Sequence, residues 1–190
     1  MKRILALVLL AALLLSGCSA AEGNPEWDES WIPLGEAAAI EPMEGFSLYE
    51  TNDTLSPYGL YYATWACGEE RDYVNQEGEN AKIFDAQIYV LLEQCGDGEE
   101  AAREVESWID REKQTYTCGE EKNETFAGQE FRLLPLLSGK EGNPYSFGIG
   151  AFARRGECAV SVELVCSERF AEDPEAVLAR FLNGFHYSED

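Results

Sequence analysis

The sequence predicts an α+β fold: an antiparallel sheet of about five strands with two amphipathic helices, in the order β-β-α-β-β-β-α. Three observations carry this. Apolar residues recur at period two from 84 to 92 and from 158 to 166, and at helical spacing from 101 to 109 and from 177 to 182. Glycine, proline and acidic residues punctuate the gaps between these runs.

Tyr58 to Cys67 is an aromatic-rich first strand. Phe84, Ala86, Ile88, Val90 and Leu92 alternate with Asp85, Gln87 and Glu93, the mark of a second strand with one buried face. The polar stretch Gly68 to Asn80 reads as a loop, so the two strands should pair as a long-looped hairpin. Asp97 then offers an N-cap with Glu100 three residues on, a capping-box arrangement. Ala101, Ala102, Val105, Trp108 and Ile109 make one face of a helix that runs from Gly98 or Glu99 to about Thr115 and ends before Gly119.

Three strands follow: Glu130 to Leu134 or further, Tyr145 to Arg154, and Glu157 to Ser167, the last two joined by a tight turn at Arg154-Arg155-Gly156. Cys158, Val160, Val162, Leu164 and Cys166 share one face of the last strand. Glu157, Ser161, Glu163 and Ser167 share the other, which reads as solvent-facing. Asp173 caps a final helix with Pro174 at its first position, Val177, Leu178, Phe181 and Leu182 form its face, and Gly184 stops it.

Ahead of all this, Lys2 and Arg3 precede an unbroken apolar run of 12 residues, Ile4 to Leu15, too short to span a bilayer and typical of a targeting segment. The run ends in Leu15-Ser16-Gly17-Cys18, which resembles a bacterial lipobox. The resemblance implies cleavage before Cys18 and acylation of its thiol and amine. The rival reading is an ordinary secretory signal cut near Ser19 or Ala20. At about 0.8 kcal/mol per buried CH₂, two or three chains make a stable anchor. The expected organisation is a lipoprotein signal peptide at 1–17, a lipidated cysteine and acidic tether at 18–45, and one globular domain at 46–190, held by lipid on the extracytoplasmic face of a cell membrane. Taking 17 residues and two bases away leaves 173 residues at a formal charge of −24.

Asn24-Pro25, Pro33 and Pro42 interrupt the tether, and seven acids solvate it. Trp27 and Trp31, four apart behind Asn24 and Pro25, suggest a short helix with an indole face. Either these rings dock on the domain, or with Tyr58, Tyr61 and Tyr62 they form an aromatic surface for a cell-wall polymer or peptide.

The element order, the Phe126-Ala127-Gly128 turn before a strand, the final hairpin and a capped helix ending in Phe181-Leu182-Asn183-Gly184-Phe185 together resemble the PsbP-like α/β/α sandwich of many small bacterial lipoproteins. The resemblance spans roughly residues 46 to 187. It implies a helix on each side or end of an antiparallel sheet, in a group that mostly lacks known enzymatic activity and often serves as accessory or binding modules. It carries over no functional residue.

The chemistry legible in the chain is mostly exclusion. With 36 acids against 14 bases and a formal charge of −22, a nucleic-acid partner is not expected. One histidine leaves no two-histidine zinc site, and any catalytic triad would run through His186. No His-Glu-x-x-His, Gly-x-Ser-x-Gly, P-loop or Gly-x-Gly-x-x-Gly pattern occurs, and the cysteines at 67, 95, 118, 158 and 166 form no Cys-x-x-Cys pair. On one strand Cys158 and Cys166 stand about 26 Å apart, too far to bridge, and read as small buried hydrophobes. No cofactor is expected. The dense acidic stretch Glu69, Glu70, Asp72, Glu77 and Glu79 lacks EF-hand spacing, so a solvated face is the default over a calcium site. With so many acids, accidental carboxylate pairs are near-certain. The reading is therefore a non-enzymatic, membrane-anchored binding or accessory module. Its rivals are aromatic-surface recognition, which an exposed aromatic patch would favour, and a carboxylate-dependent hydrolase, which a pocket with convergent buried acids would favour.

Overall fold

A computed structural model describes residues 27–35, 37–52, 59–74, 78 and 80–188. The leader, Cys18, Asn24-Pro25, Tyr58, Glu77 and Glu79 lie outside the described residues. The elements are β1 (Ile32–Leu34), β2 (Ala38–Ile40), β3 (Ser47–Asn52), β4 (Leu60–Cys67), β5 (Arg71–Val74), β6 (Asn80–Ile83), β7 (Ala86–Gln94), α1 (Gly98–Thr115), β8 (Tyr116–Cys118), β9 (Lys122–Phe126), β10 (Gln129–Gly139), β11 (Phe147–Arg155), β12 (Cys158–Cys166), α2 (Pro174–Asn183) and β13 (Phe185–Tyr187). Among the described residues the fold is mixed α and β with two helices, and every strand pair is antiparallel.

The main sheet runs β3-β4-β7-β12-β11-β10-β8, with β9 also paired to β10. β4, β7, β10, β11 and β12 are the five strands the sequence predicts, and β4 pairs β7 as the expected long-looped hairpin. The remaining strands raise the count to thirteen among the described residues. They are three to six residues long, too short to show a period.

Two stretches differ from their sequence reading. The polar loop after Gly68 contains the hairpin β5-β6, tied down by Arg71, which donates to the Phe84 carbonyl and to Asp85, both at 2.9 Å. The stretch read as tether is structured from residue 32. β1, β2 and β13 form a small sheet, and Leu34, Ala38, Ile40 and Met43 are buried in the core. Residues 27–31 are no helix but a turn, in which the Trp31 amide donates to the Asp28 carbonyl at 2.9 Å.

β12 is paired along all nine of its residues on both sides, to β7 and to β11. Its even-numbered residues, Val160, Val162, Leu164 and Cys166, share a core with α2, through Val177, Leu178, Phe181 and Leu182. Its odd-numbered face does not meet solvent as expected. α1 covers it, and Ala159, Ser161 and Val165 are buried there beside Leu134, Leu136 and Phe152. One helix thus lies on each face of the sheet.

The local signals behind α1 act as the sequence indicates. Asp97 accepts from the Glu99 and Glu100 amides at 2.8 Å, and Glu100 reaches back to the Gly96 amide at 2.7 Å. Ala101, Val105, Trp108 and Ile109 are buried, whereas Ala102 is exposed. β9 and β10 meet at Ala127-Gly128, both at positive φ (48° and 76°), as a two-residue turn of the hairpin-compatible hand requires. No helix among the described residues is long and apolar enough to cross a membrane.

Candidate functional site

Adjacent strands β4, β7 and β12 align in rows across the sheet: Thr64, Tyr89 and Glu163 in one, Tyr62, Leu91 and Ser161 in the next. These odd residues of β7 and β12 point at α1. The apolar stripe of α1 steps from Ala101 through Val105, Trp108 and Ile109 to Glu112, so helical spacing alone delivers a carboxyl onto the buried face. The result is a cleft of about 360 Å³ lined by Tyr62, Tyr89, Leu91, Arg111, Glu112, Ser161 and Glu163.

Across the ladder from Glu163 stands Gly150, and a Cβ there would sit 2.6 Å from the Phe152 ring. The missing side chain leaves room for that ring beside the acids.

Two carboxyls meet in the cleft. The Glu112 and Glu163 side chains hydrogen-bond each other and are only 7% and 12% exposed. Ser161 Oγ donates to Glu163 at 2.8 Å. Arg111 stands over the mouth, 3.5 Å from Glu112 and 3.7 Å from Glu163, with 55% of its side chain exposed. Burial first and the neighbouring Glu163 second raise the Glu112 carboxyl, against Arg111, to about 7. Burial also raises Glu163, against the Ser161 hydroxyl and Arg111. Near neutral pH the pair therefore holds one proton, with Glu112 the donor to Glu163. Burial raises Tyr62 and Tyr89 as well, keeping both phenols neutral.

Of the described residues that the sequence singles out, only Tyr62 reaches this cleft. Tyr61 points to the other face, where its ring fills the space over Gly35 and packs on the core. Trp27 packs against that core too. Trp31 stacks on His186 with ring centroids 3.6 Å apart, and His186 Nε2 lies 2.8 Å from Glu41. Among the described residues, these tryptophans and tyrosines are thus split between two faces rather than gathered into one patch. In the acidic stretch, Glu69, Glu70 and Asp72 are exposed. Lys82 bridges Glu70 and Asp72 at 2.9 and 2.8 Å, which holds the Asp72 carboxyl below its usual range. Among the described residues no group of three or more His, Cys, Asp or Glu could hold a metal ion.

All five described cysteines are free thiols. Burial pushes Cys158 up to about 11 and Cys166 up to about 12, so neither is an activated nucleophile.

The sequence reading missed Glu112, Glu163, Arg111, Tyr89, Leu91 and Ser161 as a group. Glu112 had a signal, a charged residue one turn beyond Trp108 and Ile109 on the apolar stripe. Glu163 had none, because polar alternation on a strand reads as solvent until the covering helix is known.

No family model matches this chain, and no curated protein matches it. A solved structure similar to it is that of cyanobacterial PsbP (CyanoP) from Synechocystis sp. PCC 6803, at 9% identity and a TM-score of 0.39, covering 77% of this chain and 95% of that one. A likeness at that level transfers no residue and no activity.

Proposed function

We propose that this chain is a non-enzymatic binding or accessory module on a PsbP-like α/β/α sandwich, anchored at the extracytoplasmic face of a membrane through acylated Cys18. Its ligand site is the cleft between α1 and the β4-β7-β12 face. The lipobox Leu15-Ser16-Gly17-Cys18 supports the anchor, and the helix on each face of one antiparallel sheet supports the sandwich.

The observation that carries the binding reading is the buried acid pair facing an open cleft. Placing two carboxyls where apolar residues would pack costs stability, and a cost of that kind concentrates at functional sites. The volume, about 360 Å³, lies in the range of small-ligand sites, roughly 300–1,000 Å³. Polar groups converge on one end of it, while Leu91 and two tyrosines line the rest.

Convergent buried acids also favour the second reading, a carboxylate-dependent hydrolase. Against its glycoside-cleaving form, the two carboxyls hydrogen-bond each other, whereas glycoside hydrolysis needs about 5 Å or more between them. Hydrogen–deuterium exchange of the full chain with a panel of muropeptides, short peptides, amines and acids tests both. Binding should slow exchange in residues 62–64, 89–91, 108–116 and 161–163, with every compound recovered intact by mass spectrometry. Protection confined to another face would refute the cleft, and turnover would establish the hydrolase.

A further inference from the structure

If the cleft is the ligand site proposed above, its acid pair selects the ligand's chemistry. Around Glu112 and Glu163 stand Arg111 on α1, Tyr62 on β4, Tyr89 on β7 and, close to the pair, Tyr116 and Cys118 on β8. One guanidinium is already present, yet it stays 3.5 and 3.7 Å from the carboxyls with over half its side chain in solvent. Its Nε faces Glu112 and its Nη2 faces Glu163 only at that range, so the planar fork makes no close bidentate pair with either. An anion would face Glu163 with only that exposed arginine in support. A divalent metal would find two carboxyls, one hydroxyl and a neighbouring cation, short of the six to eight oxygens calcium takes.

We propose that the cleft takes a primary amine with a short apolar tail, its ammonium replacing the proton that Glu112 and Glu163 share. Three tetrahedrally disposed N–H donors match three acceptors at the polar end, Glu112, Glu163 and the Ser161 oxygen, whose own hydrogen is given to Glu163. Leu91 and the rings of Tyr62 and Tyr89 receive the tail. The exchange balances: one ammonium enters, one proton leaves to solvent, and the pair goes from one negative charge to two. Arg111 keeps its charge and, exposed as it is, swings clear of the entering cation.

The test uses the full chain in detergent micelles at about 0.15 M salt, where diffuse attraction to a strongly acidic protein is screened. n-Butylamine is titrated against n-butanol, which shares the tail, and tetramethylammonium, which shares the charge but has no N–H. The readouts are the NMR signals of the Leu91 methyls and the Ser161 amide. Butylamine alone should shift them saturably. Its affinity should climb about tenfold with each unit that pH rises toward 7 and level above it, because binding expels one proton. Glu112→Gln and Glu163→Gln should each weaken binding at least about tenfold. Arg111→Gln, on an exposed side chain that carries no part of the core, should tighten it several-fold. Equal binding of butanol or tetramethylammonium, or affinity independent of pH, would overturn the amine assignment. If butanol shifts Leu91 and butylamine does not, the cleft stands and the amine falls. If neither shifts it and the ligand panel protects another face, both fall.

Discussion

Replacing Glu112 by Gln removes a titrating group from the core while keeping its shape and a hydrogen-bond donor to Glu163. The size of the effect follows from the raised carboxyl. An unfolded glutamate ionises near 4.5, whereas folded Glu112 holds its proton to about 7. Below pH 4.5 both states are protonated and Glu112 carries no ionisation penalty. Between 4.5 and 7 the unfolded chain releases its proton and the folded one does not, so wild-type stability falls with rising pH. At about 1.4 kcal/mol per unit the loss sums to about 3 kcal/mol above pH 7. The Gln variant has no such loss. Melting both proteins by circular dichroism from pH 4.5 to 8 should give similar midpoints at the acid end. At pH 8 the variant should melt roughly 6–12 °C higher, at about 2–4 °C per kcal/mol for a domain of this size. Taking the difference cancels the general repulsion of a −22 chain, which both proteins share. A midpoint difference that does not grow with pH would refute the buried, proton-sharing pair.

Val162→Asp, at a fully buried position between Val90 and Ala151, should cost more than about 4 kcal/mol and leave the domain unfolded or barely folded by circular dichroism. Calcium and magnesium at matched concentration should raise the melting temperature equally, because Lys82 already occupies Glu70 and Asp72; a saturable rise with calcium alone would restore the acidic stretch as a metal site. Cys18→Ala should abolish acyl mass and move the protein from detergent to aqueous phase. A wild-type protein without acyl mass would defeat the anchor.

Both helices were legible to within a residue because capping is local chemistry: Asp97 and Asp173 announce the starts, and Gly184 the final stop. The central strands were legible because nine residues of alternation leave a clear period. β1, β2 and β13 were not. Ala38-Ala39-Ile40 finds its partner at Phe185-His186-Tyr187, more than 140 residues away, and no local pattern encodes such a pairing. The site divides in the same way. Glu112 breaks a helical stripe and was visible in principle. Glu163 was assigned to solvent, since its burial depends on where α1 docks. Tyr62 alone among the described ligand-facing aromatics that the sequence suggests lies in the cleft, because Tyr61, one residue earlier on β4, necessarily faces the opposite side.

The central claim is that Glu112 and Glu163 share one proton inside the cleft, and carboxyl ¹³C chemical shifts followed from pH 3 to 9 test it most directly. Selective labelling with assignment through Glu112→Gln and Glu163→Gln identifies the two signals. The expected result is two steps, each felt at both carboxyls, the upper one near 7, with the Glu112 midpoint lowered when Glu163 is replaced by Gln. Two independent titrations near 4.5, neither moved by the other's replacement, would contradict the account.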